Sequence, residues 1–292
     1  MKTLPMVTLE MIASTTLINA GSKDWARDNL AYINSGNRLF GTSTKLEKGA
    51  DKFSSYVLYL QPADKVAVTT LCPMAETAGC KAPCLISSGR LGMRGAQGAA
   101  TRRTILMLLQ PDYFTAKLLS EIDAAERKAL KTGIPALFRL NGTSDVSWDH
   151  VIDERPASMF YDYTKNPSIL RRAVRRANYD ATYSGSMYSA RSRSELRLAV
   201  LRGDRIAMAF NTKNIGSDML TTGGHYSFDT TDLRHMDPIG IVGSLTRKGS
   251  NKAERALEDL QVESFFVTSA NLSNFHDLIA NDRYDVAHTR GL

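Results

Sequence analysis

At 292 residues the chain exceeds the size at which one core usually stops growing, so one large domain with appendages and two domains both remain open. Its 43% hydrophobic and 23% charged residues exclude wholesale disorder, no stretch has the apolar length of a bilayer span, and the N-terminus, interrupted by Glu10, does not read as a signal peptide. A formal charge of +7 points to a polyanionic partner, and three cysteines, an odd number, argue against a disulfide framework and for a cytosolic protein.

In chain order, residues 1–55 mix helical and turn signals and are expected to form a flanking or cap segment. Residues 56–61 (YVLYLQ) and 66–71 (VAVTTL) are rich in Val, Leu, Tyr and Thr and predict two strands. The short PADK link with its Pro62 predicts a hairpin between them. Cys72, Cys80 and Cys84 follow at once, in the pattern C-x7-C-x3-C. Three thiolates from one loop suit a soft metal, either iron–sulfur or zinc, with His225 or His235 able to complete a zinc site. The bland alternative is three small buried hydrophobes.

Helices are expected over 97–109 and 112–131. In the second, Phe114, Leu118, Ile122, Ala125 and Ala129 recur on one face, and Gly133 supplies the stop. Short apolar runs then alternate with amphipathic stretches. The strands expected are 135–140, 157–163, 180–185, 205–210 and 239–244. Between them lie helices near 147–153, after Asn166–Pro167, and at 192–202. A helix over 252–262 and a final strand at 264–269 follow. This alternation predicts an α/β protein with a parallel sheet. Counted from residue 66 it gives six strands, a partial (βα)6 TIM-like barrel, with a doubly wound parallel sheet as the alternative. The expected division is a cap over 1–55, a barrel-like domain over 56–250, and a C-terminal helix and strand over 251–292.

Ligands bind at the carboxyl ends of parallel strands, so the polar residues there are the candidates. Asn141, Gly142, Thr143, Ser144 and Asp145 follow one strand; Asp162, Tyr163 and Lys165 follow the next. Ser184, Gly185 and Ser186 come after a third, Asn211 and Lys213 after a fourth, and Arg247, Lys248 and Gly249 after a fifth. Turn residues are polar anyway, which is the ordinary explanation. Asp145, Asp162, Lys165 and Asp232 are the candidate catalytic groups; Asn141, Gly142, Ser184 and Lys248 are the candidates for holding a cofactor. Asp232 belongs to a loop with Asp229, Asp237 and Arg234. Seven arginines lie between positions 171 and 197 against Asp180 and Glu195. Arg171, Arg172, Arg175 and Arg176 are expected on one helical face opposite Ile169, Ala173, Val174 and Ala177. With Arg191, Arg193 and the nearby tyrosines they predict phosphate-backbone binding, against a solvated face as the default.

The segments LCPMAETAGCKAPCLISSGR, RLNGTSD, FYDYTK and the Asp-rich stretch before IVGSLTRKG resemble a group of uncharacterised phage- and plasmid-borne proteins with a cysteine triad. More distantly, the layout is similar to radical S-adenosylmethionine enzymes. That resemblance implies a four-iron–four-sulfur cluster on the three cysteines with S-adenosylmethionine at its open iron, and the leading expectation is an enzyme of this type acting on nucleotide or nucleic acid during phage or plasmid replication. The alternatives are a non-catalytic nucleic-acid-binding protein with structural zinc and an inhibitor of a host protein. All three readings place the chain in the cytoplasm and away from membranes.

Overall fold

The computed structural model of the chain describes residues 6–41, 52–211, 226–230, 232–248 and 252–279. It is a mixed α/β protein whose eight described strands are mostly parallel, and the chain divides into two units. The first comprises residues 1–73 and 88–162, the second 74–87 and 163–292.

The first unit opens with α1 (Leu9–Ser14), α2 (Ala20–Asp28) and α3 (Leu30–Ile33). The side chains of Thr8 and Asn19 cap α1 and α2 by accepting from the amides of Met11 and Ser22. Then come β1 (Phe40–Gly41), β2 (Ser54–Leu58), α4 (Arg94–Leu109), α5 (Pro111–Thr132), β3 (Ala136–Arg139), α6 (Asp149–Glu154) and β4 (Met159–Thr164). β2 runs antiparallel to β1 and parallel to β3, and β3 runs parallel to β4. Helix α5 buries Phe114, Leu118, Ile122 and Ala125, the face the periodicity predicts. It ends at Gly133, whose φ of 71° is left-handed and favours glycine. Phe138 is wholly buried in the sheet, with its ring 5.6 Å from those of Tyr56 and Phe160.

Residues 66–71 do not form a strand, and no hairpin joins them to β2. Both edges of β2 are already taken, by β1 and β3. The segment is instead a packed loop in which Ala67 makes a lone bridge to Ile18 and the Leu71 amide donates to the Ala63 carbonyl. Val66 and Ala67 are buried there, which accounts for their apolar character without a ladder. Cys72 therefore follows a loop, and the strand that precedes it is β2.

The second unit holds the segment 74–87, then α7 (Pro167–Ala173), β5 (Tyr179–Ser184), α8 (Ala190–Arg202), β6 (Ile206–Phe210), β7 (Tyr226–Ser227), β8 (Val242–Thr246) and α9 (Lys252–Asp259). β6 is parallel to both β5 and β8, and β7 is parallel to β8. Leu170, Tyr183, Leu196, Val200, Met208, Phe210, Val267 and Phe275 form the core of this unit. Ser189 opens α8 with a reciprocal Ser189–Ser192 capping box, and Gly203 closes it at φ 71°.

Three expectations shift here. The strand expected at 239–244 lies at Val242–Thr246, because Gly240 turns at φ 76° and the Arg205 guanidinium holds the carbonyls of Asp237 and Pro238. Of 264–269 only Val267 pairs, in a parallel bridge with Phe210. The arginine helix stops at Ala173. The amides of Arg175 and Arg176 then bond three residues back, to Arg172 and Ala173, so Arg175 and Arg176 lie in a turn and Val174 is 77% exposed. A TIM-like closure is not among the described ladders, which are runs of neighbouring strands within each unit.

Candidate functional site

The segment after β3, Asn141–Asp145, is anchored atom by atom. Asn141 is 2% exposed. Its Oδ1 accepts from Ser144 Oγ (3.0 Å), the Val146 amide (3.1 Å) and Trp148 Nε1 (3.2 Å), while Nδ2 donates to the Val146 carbonyl (3.0 Å). Asparagine suits this position because it offers donor and acceptor on one short arm. Gly142 lies so close to β2 that a Cβ there would sit 2.6 Å from Val57 Cγ1 and 2.7 Å from the Leu58 carbonyl oxygen. Thr143 Oγ1 donates to the Leu60 carbonyl at 2.5 Å, and the Asp145 amide donates to the Leu71 carbonyl at 2.9 Å. That last bond brings Asp145 beside the backbone leading into Cys72.

Asp162, on β4, completes this cluster. Its Oδ1 accepts the Asn141 amide at 2.8 Å. Its Oδ2 is buried and has no hydrogen-bond partner among the described residues. At 1% exposure the charged form is poorly solvated, and burial pushes the carboxyl up to about 7. The Arg139 charge and the Asn141 and Leu140 amides oppose that rise, and Asp145 adds to it. Asp162 thus exchanges its proton near neutrality, where a general acid or base is most effective.

Cys72 belongs to the same unit. Its Sγ accepts the Ala63 amide at 3.3 Å and lies 3.8 Å from the Thr143 carbonyl oxygen. Cys80 and Cys84 belong to the second unit, where the Cys80 thiol lies 3.8 Å from the Ala75 carbonyl oxygen. All three thiols are half-buried and none is in a disulfide. Among the described residues no three His, Cys, Asp or Glu side chains are gathered as a metal ion requires.

The segment carrying Cys80 and Cys84 is clasped by Ser186, one of the strand-end candidates, and by Ser189, which sequence reasoning passed over. Ser186 Oγ donates to the Ala78 carbonyl at 2.8 Å and Ser189 Oγ to the Thr77 carbonyl at 2.7 Å. Gly79, at φ 64°, lies against the Tyr188 ring so closely that a Cβ would come within 2.5 Å of it. The available signal was the run of serines after β5, since small hydroxyl residues in a loop usually bond backbone.

Other candidates pair within the second unit. Lys165 Nζ donates to Ser184 Oγ at 2.6 Å and lies 4.9 Å from the centre of the Phe265 ring. Tyr163 donates to Asp232 Oδ1 at 3.2 Å. Lys248 donates to Asp229 Oδ1 at 3.1 Å. Burial raises the Asp229 carboxyl, but its bonds from Thr246 and Lys248 hold it below the ordinary range. His235 is driven toward its neutral form chiefly by burial. Arg171, Arg175 and Arg191 are exposed and Arg172 is half-buried. Arg193 is committed to the carbonyls of Met187 and Tyr188. Lys213, His225 and Gly249 lie outside the described residues.

The family model described as gene product 88 matches residues 33–259. The chain belongs to the gene product 88 family, a phage-type family. The match spans the cysteine segment, the Asn141–Asp145 anchor and Asp162. No curated protein and no solved structure matches the chain. No helix among the described residues is long and apolar enough to cross a membrane.

Proposed function

We propose that this member of the gene product 88 family is an enzyme that works by proton transfer at the strand ends of its first unit, with Asp162 as the group that gives and takes the proton. One observation carries the reading: a wholly buried carboxyl holds the Asn141 amide with one oxygen, has no hydrogen-bond partner for the other among the described residues, and is pushed up to about 7 by burial. Asn141 and Gly142 position it, and Asp145 adds negative charge that keeps its proton affinity high. The substrate class is a nucleotide or nucleic acid, a reading supported by the charge of +7 and the exposed Arg171, Arg175 and Arg191. In the test, purified protein is offered nucleotides and single-stranded DNA alongside Asp162→Asn. The parent's rate should bend near pH 7, while the variant binds but does not turn over. Equal turnover by the variant removes the reading.

A second reading keeps Cys72, Cys80 and Cys84 as ligands of a four-iron–four-sulfur cluster, or of zinc, with S-adenosylmethionine as co-substrate in the iron case. Its support is that the three thiols are all half-buried and outside disulfides, which is not how cysteines pack as core hydrophobes. The Ala63 amide aimed at Cys72 Sγ is the kind of donor that stabilises a thiolate. Anaerobic reconstitution followed by iron, sulfide and zinc analysis tests it. Protein free of all three sets it aside without touching Asp162.

A further inference from the structure

Helix α4 carries two adjacent arginines, Arg102 and Arg103, that are 1% and 9% exposed. A buried guanidinium is costly unless an anion or a full set of acceptors meets it. Arg102 Nη2 donates to the carbonyls of Asn37 (2.8 Å) and Arg38 (3.0 Å), and the guanidinium lies 5.8 Å from the centre of the Tyr32 ring. Its Nε and Nη1, also buried, have no hydrogen-bond partner among the described residues. Arg103 makes one long bond, to the Tyr59 carbonyl at 3.4 Å, and its Nε is likewise unpartnered there.

The charge of Glu121 reaches both arginines, but its oxygens are bonded elsewhere. Glu121 accepts the amides of Leu39 and Phe40 at 2.9–3.1 Å and pairs with Lys117 at 3.4 Å. Burial pulls the proton affinity of both arginines down, and at Arg103 the Arg102 charge adds to the effect. A small cavity lies against Arg102, lined also by Ile33, Asn34, Gly36, Leu106 and Tyr113. Asn34 has both amide atoms engaged with the Val7 backbone, so it does not serve Arg102. Lys117 Nζ, held at 3.0 Å on the carbonyl of the cavity-lining Gly36, offsets the charge of its partner Glu121 near the cavity.

We propose that this cavity is an anion site in which Arg102 receives an oxygen of a small oxyanion, a carboxylate or a phosphoryl group, with Lys117 offsetting the nearby Glu121 charge. The site fills the unmet hydrogen-bonding capacity of Arg102 and stands independently of Asp162.

The test is thermal unfolding of the full chain titrated with acetate, inorganic phosphate or chloride at fixed ionic strength, with Arg102→Met and Lys117→Met alongside. The parent should gain stability with acetate or phosphate beyond chloride, because a ligand that binds only the folded state raises its melting point. Acetate as the stronger stabiliser assigns a carboxylate ligand; phosphate assigns a phosphoryl one. Arg102→Met should melt no lower than the anion-free parent and ignore both anions. Lys117→Met should fold and bind roughly three- to tenfold more weakly, as expected when the nearby Glu121 charge is no longer offset. A parent indifferent to both anions overturns the proposal, as does an undiminished response in Lys117→Met. If Arg102→Met does not fold, the Lys117 variant decides.

Discussion

The most deeply buried charged groups of the two units differ in whether an opposite charge lies beside them. In the second unit they are paired. Arg205 meets Asp180 at 2.5 Å, Arg234 meets Asp237 at 3.0 Å, and Arg202 meets Asp204 at 2.8 Å. Arg234 also stacks on Phe228, 3.9 Å from the ring centre. In the first unit Asp162, Arg102 and Arg103 form no ion pair among the described residues; buried polar atoms without a hydrogen-bond partner there occur in both units, but at Arg202, Arg234 and Asp237 an opposite charge lies alongside. Paired buried charge fixes a loop in place and is silent chemically. Unpaired buried charge costs stability, and structures keep it where a proton or a ligand is to be met. The contrast is why the first unit holds both the proposed proton-transfer group and the proposed anion site.

The contrast can be broken most sharply at Arg234. Arg234→Ala should cost about 3–5 kcal/mol in denaturant unfolding, because it leaves the buried Asp237 charge with only the Tyr226 hydroxyl. Asp162→Asn should do the reverse. Asp162 holds its proton to about pH 7 in the folded state, while its ordinary value is 3.8. Over that window the folded chain binds more protons than the unfolded one, so stability is lost as pH rises through it. Relative to the asparagine variant, the parent should lose roughly 3–4 kcal/mol between pH 4 and pH 8, at about 1.4 kcal/mol for each pH unit that separates folded from unfolded titration. Paired unfolding curves across that range check it, and a pH-independent difference means Asp162 titrates normally.

Gly142→Ala comes next. Its methyl meets the Leu58 backbone and Val57 and should cost about 1–3 kcal/mol, read in the same unfolding assay. Ser189→Ala removes both the α8 cap and the clasp on Thr77, for about 1–2 kcal/mol. Arg175→Ala should change stability by no more than about 0.5 kcal/mol, being exposed in a turn. Any effect of that variant on nucleic-acid binding is then a direct one, measurable as a flatter salt dependence.

Much of this architecture was legible. The apolar stripe of α5, its stop at Gly133, the Asn166–Pro167 start of α7, and the strands β3 to β6 all lie within a few residues of where periodicity and punctuation put them. The Asn141–Asp145 anchor and Asp162 stood out as polar residues at strand ends, and both are part of one cluster. The 66–71 segment misled because buried loop residues and strand residues share a composition, and only the occupied edges of β2 tell them apart. The arginine face misled for a related reason. Helical spacing carried past Ala173 counts a turn as if it were helix.

Sequence by itself determined local matters: which stretches are helical, where they stop, and that small polar groups crowd the strand ends. Those follow from side-chain shape and short-range hydrogen bonding, which act over a few residues. Tertiary structure alone decided which charges are answered. The amide that binds Asp162 comes from Asn141, just past the end of the neighbouring strand, and the carboxylate of Glu121 is kept from Arg102 by the backbone of Leu39 and Phe40. A proton affinity or an unmet donor depends on everything within a few ångströms, and that neighbourhood exists only once the chain is folded.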